Sequence, residues 1–294
     1  MKLTECFAAA AAERNANVLS VVSVKNGKWN EKTIIPAAPC QNCYSVTKSF
    51  TATAVGLCAD KGLLSPDTPV TEFFGKELPD NFDQKFHRVT VKHLLTHTAG
   101  FEKGFLFEDD RVLAGKNWLE YTLSKQLAFE PGEKFVYNNA GYYLLSCIVH
   151  RVTGKTAERF LREELFAPLG ITNYAWSSSP EGETDGGTGL YLSSADMAKL
   201  GLLYLGGGVY GGRRVLSEKW VKEATRTHFK PDDMPWGYGY SFWTYPGTDD
   251  FRCDGAHQQI VLVLPGKNTV VSFHSYTDFF DYYGIVDNAP EEAE

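Results

Sequence analysis

A chain of 294 residues with 43% apolar and 14% aromatic side chains holds ample material for a buried core, which excludes disorder as its general state. A formal net charge of −7, with no block of consecutive Lys or Arg, excludes nucleic acid and anionic membrane as expected partners and favours a small neutral or cationic one. No apolar run approaches the ~20 residues that span a bilayer, and the six cysteines are too sparse for a disulfide framework.

No linker, low-complexity tract or repeat divides the chain, so one compact unit over 1–294 is expected. The opening MKLTECFAAAAAERNANV has an alanine run interrupted by Glu5 and Cys6 and no small-x-small cleavage site. It reads as a short amphipathic helix rather than an export signal, and a chain complete as given would stay in the cytoplasm. From Asn17 to Ile35, β-branched runs flank Asn26-Gly27, the strongest short hairpin signal. Cys40 and Cys43 then form a single C-x-x-C. Zinc would need a second ligand pair and thioredoxin-like chemistry a βαβ setting, so two partly buried free thiols are expected and a redox role is left open.

Helical periodicity follows in VTKSFTATAVGLCADKG, VKHLLTHTAG, NAGYYLLSCIVHRVTG, TAERFLREELFAPLG, SADMAKLGLLYLGGG and SEKWVKEATRTH, several ending at a glycine stop signal. His93 and His97 lie i, i+4 without an intervening metalloprotease glutamate, so packing is the expected role of both. Asp196 reads as a residue that caps or anchors its helix. Near the end, YGYSFWTY, FRCDG, HQQIVLVLP and TVVSFHSY read as antiparallel strands separated by turns. Strands, many helices, then strands imply an α+β fold: an antiparallel sheet built from both chain ends and flanked by helices, with a mostly helical second lobe. The α/β lobe would take about 1–60 and 205–294, the helical lobe about 61–204.

Ser45 to Lys48 reads SVTK and falls where helical pattern begins, after the turn-like PAAPCQNCY. Residues three apart share a helix face, so the Ser45 hydroxyl and the Lys48 amine can meet, and a helix N-terminus favours charge developing at the serine. A lysine removes a serine's proton only if its own pKa is depressed, and Val46, Phe50 and Ala52 are consistent with the required burial. Such a tetrapeptide occurs by chance about once in a chain this long, so its context decides.

That context is an ordered series: SVTK, then HLLTHTAG at 93–100, Tyr137-Asn138-Asn139 before a helix, FAPLGI, GLYLSSADMAKLG and DGAHQQIVLVLPGKNTVV. The series resembles the serine β-lactamase and penicillin-binding protein superfamily, in its class C β-lactamase-like branch with esterases, D-amino-acid peptidases and aminohexanoate-dimer hydrolases. The resemblance spans about residues 15–275. It implies the β-lactamase/transpeptidase-like fold, Ser45 as acylated nucleophile and Lys48 as its proton-handling partner. Tyr137 would act with the lysine as general base and then donate to the leaving group, and Asn139 would orient lysine and substrate. For an isolated motif, Tyr137 would be a loop tyrosine and Asn139 a helix N-cap.

The third motif of the family, K-T-G or H-x-G, is replaced by Cys253-Asp254-Gly255. Gly255 permits close approach, and the N–H of Ala256 with that of Ser45 would form the oxyanion hole. Cys253 would face substrate with only a weak thiol donor, and strand alternation would point Arg252 to the opposite face. The missing cation turns the expectation from β-lactams toward esters or amides. His257 either touches substrate or is an ordinary strand histidine. Trp176, Trp236, Tyr238, Tyr240 and Trp243 crowd the segments expected to rim the cleft.

The expected function is therefore serine hydrolysis through an acyl-enzyme, with no cofactor or metal and a small ester, amide or β-lactam-like substrate. The alternatives are a true β-lactamase or D,D-peptidase, or a non-catalytic sensor on the same fold. Oligomeric state is left open.

Overall fold

The computed structural model describes residues 2–289. In chain order, α1 (Leu3–Glu13) leads into the hairpin β1 (Val18–Lys25) and β2 (Lys28–Thr33). Asn26 and Gly27 both take positive φ, as a tight hairpin turn requires. The main helices are α2 (Thr47–Asp60), α3 (Ala140–Thr153), α4 (Ser194–Leu205) and α5 (Glu218–Thr225). The strands β3 (Gly237–Tyr238), β4 (Trp243–Thr244), β5 (Phe251–Gly255), β6 (Gln259–Leu264) and β7 (Thr269–Ser275) follow, and α6 (Tyr282–Asp287) closes the described chain.

These strands form one seven-stranded antiparallel sheet in the order β2-β1-β7-β6-β5-β4-β3. The two chain ends meet where β1 pairs β7, Val22 opposite Ser272. β6 is buried along its whole length because helices cover both sheet faces. On one face α1 buries Leu3, Phe7 and Ala11, one helical turn apart, with the Phe7 ring 5.7 Å from Phe273 and 5.9 Å from Phe280. On the other face α4 lies against Val261, Val263 and Val270. There the core runs on without a break through α2 into α3 and Phe166. α2 is buried on all sides from Thr47 to Cys58, which explains why every residue of that run except Lys48 is small or apolar.

Two elements depart from the sequence pattern. The run at 91–100 is helical only over Val91–Leu95; His97 at φ 58 and Gly100 at φ 100 turn the chain away. YGYSFWTY is two short strands, β3 and β4, joined by a turn in which Ser241 takes φ 70. Gly239 makes that turn possible, because a Cβ there would lie 2.2 Å from the Ala224 carbonyl oxygen.

Gly201 on α4 lets the helix sit down on the sheet. A Cβ at this position would come within 2.7 Å of a Val270 methyl and 2.8 Å of a Val261 methyl. Gly201→Ala gains helix propensity of about 1 kcal/mol but overpacks this contact. We expect a net loss of about 1–3 kcal/mol by urea denaturation, because the clashing methyls belong to stiff β-branched core side chains.

Candidate active site

Ser45 sits in a single 3-10 turn, Tyr44–Val46, immediately before α2 rather than inside it. A small three-stranded sheet anchors the approach: Gln41–Asn42 pairs with Leu190–Leu192, which pairs with Ala175–Trp176. Tyr44 then takes φ 45, a strained value for a non-glycine residue, and tilts the serine toward the cleft.

Lys48 follows one turn later and is wholly buried. Its Nζ donates to Ser45 Oγ at 2.9 Å, Asn139 Oδ1 at 2.6 Å and the Gly187 carbonyl at 2.7 Å. Loss of hydration lowers its pKa to about 7, an effect that Asp185 opposes and Arg111 reinforces. Asn139 holds the N-cap position of α3, but its side chain makes no capping bond. Asn138 takes that role, accepting from Gly141 N at 2.7 Å, while the Asn139 amide donates to the Leu106 carbonyl at 3.0 Å and so turns its oxygen to Lys48.

The Tyr137 ring lies 4.8 Å from Lys48 Nζ and 4.3 Å from the His97 ring. Burial raises its phenol pKa, and a hydrogen bond to Ser45 only partly offsets this. His97 is buried and held neutral, while His93 accepts from Thr90 N and belongs to a capping box.

Gly255 brings β5 against the serine turn. A Cβ there would lie 2.4 Å from the Cys43 carbonyl oxygen and 3.3 Å from Ser45 N. Ala256 and His257 follow in the tight turn to β6, with His257 at φ 58 and its exposed ring 5.4 Å from Tyr44. Ser45, Tyr137, Asn139, Gly255, Ala256 and His257 all line one cavity of about 1350 Å³, with Lys48 buried behind them.

One expectation is reversed. Cys253 does not face the cavity; it is 1% exposed in the core, where burial pushes its thiol up to about 12. Arg252 and Asp254 line the cavity instead. Alternation along the strand holds with the opposite parity: Cys253 lies on the side that Gly255 packs against the serine turn. Of the five aromatics, Trp236 and Trp243 line the cavity; Trp176 donates to the Asp185 carbonyl and Tyr240 stacks on His228. Asp196 anchors α4, exchanging hydrogen bonds with Ser193 and pairing with Lys199. Cys40 and Cys43 are free thiols, both with raised pKa.

The sequence reading missed the segment at 184–189, TDGGTG. A Cβ on Gly186 would lie 2.1 Å from the Tyr142 carbonyl oxygen, and one on Gly187 would lie 2.8 Å from the Asn139 side chain. Only glycines let this segment reach the Lys48 amine. Asp185 secures it, accepting from Gly187 N at 3.2 Å and pairing with Arg111. Three glycines in six residues were the available signal, but they also describe any turn.

No helix among the described residues is long and apolar enough to cross a membrane.

The Beta-lactamase family model matches residues 6–287. Penicillin-binding protein 4* of Bacillus subtilis is 29% identical over 147 residues, covering 47% of this chain and 31% of that protein. A putative D-alanyl-D-alanine carboxypeptidase of Salmonella typhimurium is 23% identical over 216 residues, covering 56% and 49%. The aligned part is thus half or less of these relatives' length. Among solved structures, a putative 6-aminohexanoate-dimer hydrolase from Bacillus anthracis superposes with TM-score 0.80 at 18% identity, over 94% of this chain and 79% of the other. A class C β-lactamase gives 0.76 at 18% identity, over 98% and 95%. The fold is thus the β-lactamase/transpeptidase fold, and with the family model matching nearly end to end, the chain belongs to the Beta-lactamase family.

Proposed function

We propose that this protein is a serine hydrolase that cleaves an ester or amide through an acyl-enzyme on Ser45. The observation that carries the reading is the Lys48 amine, buried, 2.9 Å from Ser45 Oγ and brought to a pKa of about 7. Near neutral pH a large fraction of this amine is unprotonated and can take the serine's proton as Oγ attacks the substrate carbonyl. The amides of Ser45 and Ala256 receive the developing oxyanion, and losing one such donor typically costs ~10²–10³ in rate.

Tyr137 fits the second half of the step better as a neutral donor than as a phenolate base, since burial raises its pKa. Its hydroxyl protonates the leaving group, and Lys48 passes the proton taken from Ser45 on to the tyrosine oxygen, which restores both groups. In deacylation the relay runs backward: water gives up a proton to the Tyr137/Lys48 pair, attacks the acyl carbonyl, and Ser45 leaves reprotonated. The names of the aligned relatives, a penicillin-binding protein and a D-alanyl-D-alanine carboxypeptidase, support amide-bond chemistry as one arm of the substrate range.

Fluorophosphonate treatment followed by peptide mass spectrometry should place the adduct on Ser45, and Ser45→Ala should lose labelling and at least about 10³-fold in turnover. An adduct elsewhere, or hydrolysis that survives Ser45→Ala, overturns the reading. Tyr137→Phe should slow anilide hydrolysis by about 10²–10⁴-fold but p-nitrophenyl ester hydrolysis far less, because nitrophenolate needs no proton to depart.

The labelling rate should rise with pH through the Lys48 pKa, since only the neutral amine accepts the proton. Asp185 holds that pKa up and Arg111 holds it down. Asp185→Asn should therefore move the rise to lower pH and Arg111→Gln to higher pH. Labelling profiles of the two variants that shift together, or not at all, would contradict this account of the lysine.

A further inference from the structure

We infer that the substrate carries a cationic ammonium group close to its scissile carbonyl, and that Asp254 is the residue that selects it. The inference rests on the acyl-transfer reading, because it concerns what the Ser45 cavity accepts.

Asp254 stands two residues before Ala256, whose amide faces the reacting carbonyl in that reading, and its side chain is 30% exposed on the cavity wall. One of its oxygens accepts from Arg252 Nε at 3.0 Å, and no other hydrogen bond to this carboxylate occurs among the described residues. Arg252 is the cavity's one lining guanidinium, and an anion cannot reach it. It is 2% exposed, its carbon Cζ lies 4.0 Å from the Trp236 ring centre and 5.2 Å from that of Tyr245, and its Nη1 has neither partner nor surface. The guanidinium orients Asp254 and supports the aromatic wall, leaving the carboxylate as the accessible member of the pair.

The remaining charges on the cavity wall agree. Glu108, Asp109, Asp278 and Asp281 also line it, with no lysine and no second arginine. A concave site whose accessible charges share one sign concentrates counter-ions, and aromatic faces such as Trp243 add attraction for an ammonium group. A substrate carboxylate would meet repulsion from the same wall. The nucleophile opening into this cavity is an independent mark of a ligand site, so the carboxylates act on a reacting molecule rather than forming an idle acidic surface.

The test compares kcat/KM for three p-nitrophenyl esters at low ionic strength: that of γ-trimethylammoniobutyrate, its tert-butyl isostere, and the glutarate half-ester. We expect the cationic ester to exceed its neutral isostere by about tenfold or more and the anionic one to be the poorest, with the preference shrinking as salt is added. Asp254→Asn keeps an acceptor for Arg252 and should bring the cation-to-isostere ratio to within about twofold of one. Turnover of the neutral ester with no preference for the cation, a preference for the half-ester, or a ratio indifferent to both salt and Asp254→Asn overturns this inference and leaves acyl transfer standing. Failure to hydrolyse any of the esters, with no labelling of Ser45, would instead remove the reading on which it rests.

Discussion

The Lys48 ammonium has been taken out of water, and the surrounding structure is arranged around that fact. An amine with no exposed surface loses its hydration and needs acceptors in return. It finds three at 2.6–2.9 Å, supplied by the serine turn, the N-terminus of α3 and the glycine segment before residue 190. Those elements are far apart in sequence, and each has its own device for arriving. The serine turn is tied to the small sheet, Asn139 is freed because Asn138 takes over the capping, and Gly186 and Gly187 permit backbone contacts that a side chain would block. The same burial that requires these partners lowers the pKa of the amine, so packing and electrostatics share one cause.

A second constraint acts through strand parity. Successive side chains on β5 point to opposite sides of the sheet, and Gly255 must lie against the serine turn. Register therefore decides in one stroke that Cys253 enters the core while Arg252 and Asp254 enter the cavity. The chemical character of the wall follows from this placement: a sealed guanidinium, an accessible carboxylate, and aromatic faces beside them. Cavity wall and core packing are thus written on alternate residues of a single strand.

Much of this was legible from residue order. The Asn26-Gly27 hairpin, the closure of the sheet by both chain ends, the Ser45–Lys48 pairing and the use of Gly255 for close approach follow from turn chemistry, periodicity and the i, i+3 geometry of a helical start. Each is a short-range property, or a motif whose residues must meet for any chemistry to occur. The helix expected over 91–100 and the strand expected over 238–245 were misread because His97 and Ser241 adopt left-handed backbone that composition does not announce.

What the sequence determined alone was the identity of the groups proposed to react, because hydroxyl, amine and phenol chemistry belongs to residue types and their local spacing. What the tertiary structure alone decided was their state and their surroundings. Burial, acting from every side at once, lowers the Lys48 pKa and raises that of Tyr137. The long-range contacts of Asp185, Arg111 and Gly187 cannot be read locally, where the glycines mark no more than a turn. The face that Arg252 and Asp254 present depends on a strand register set by packing across the sheet, which no stretch of sequence contains by itself.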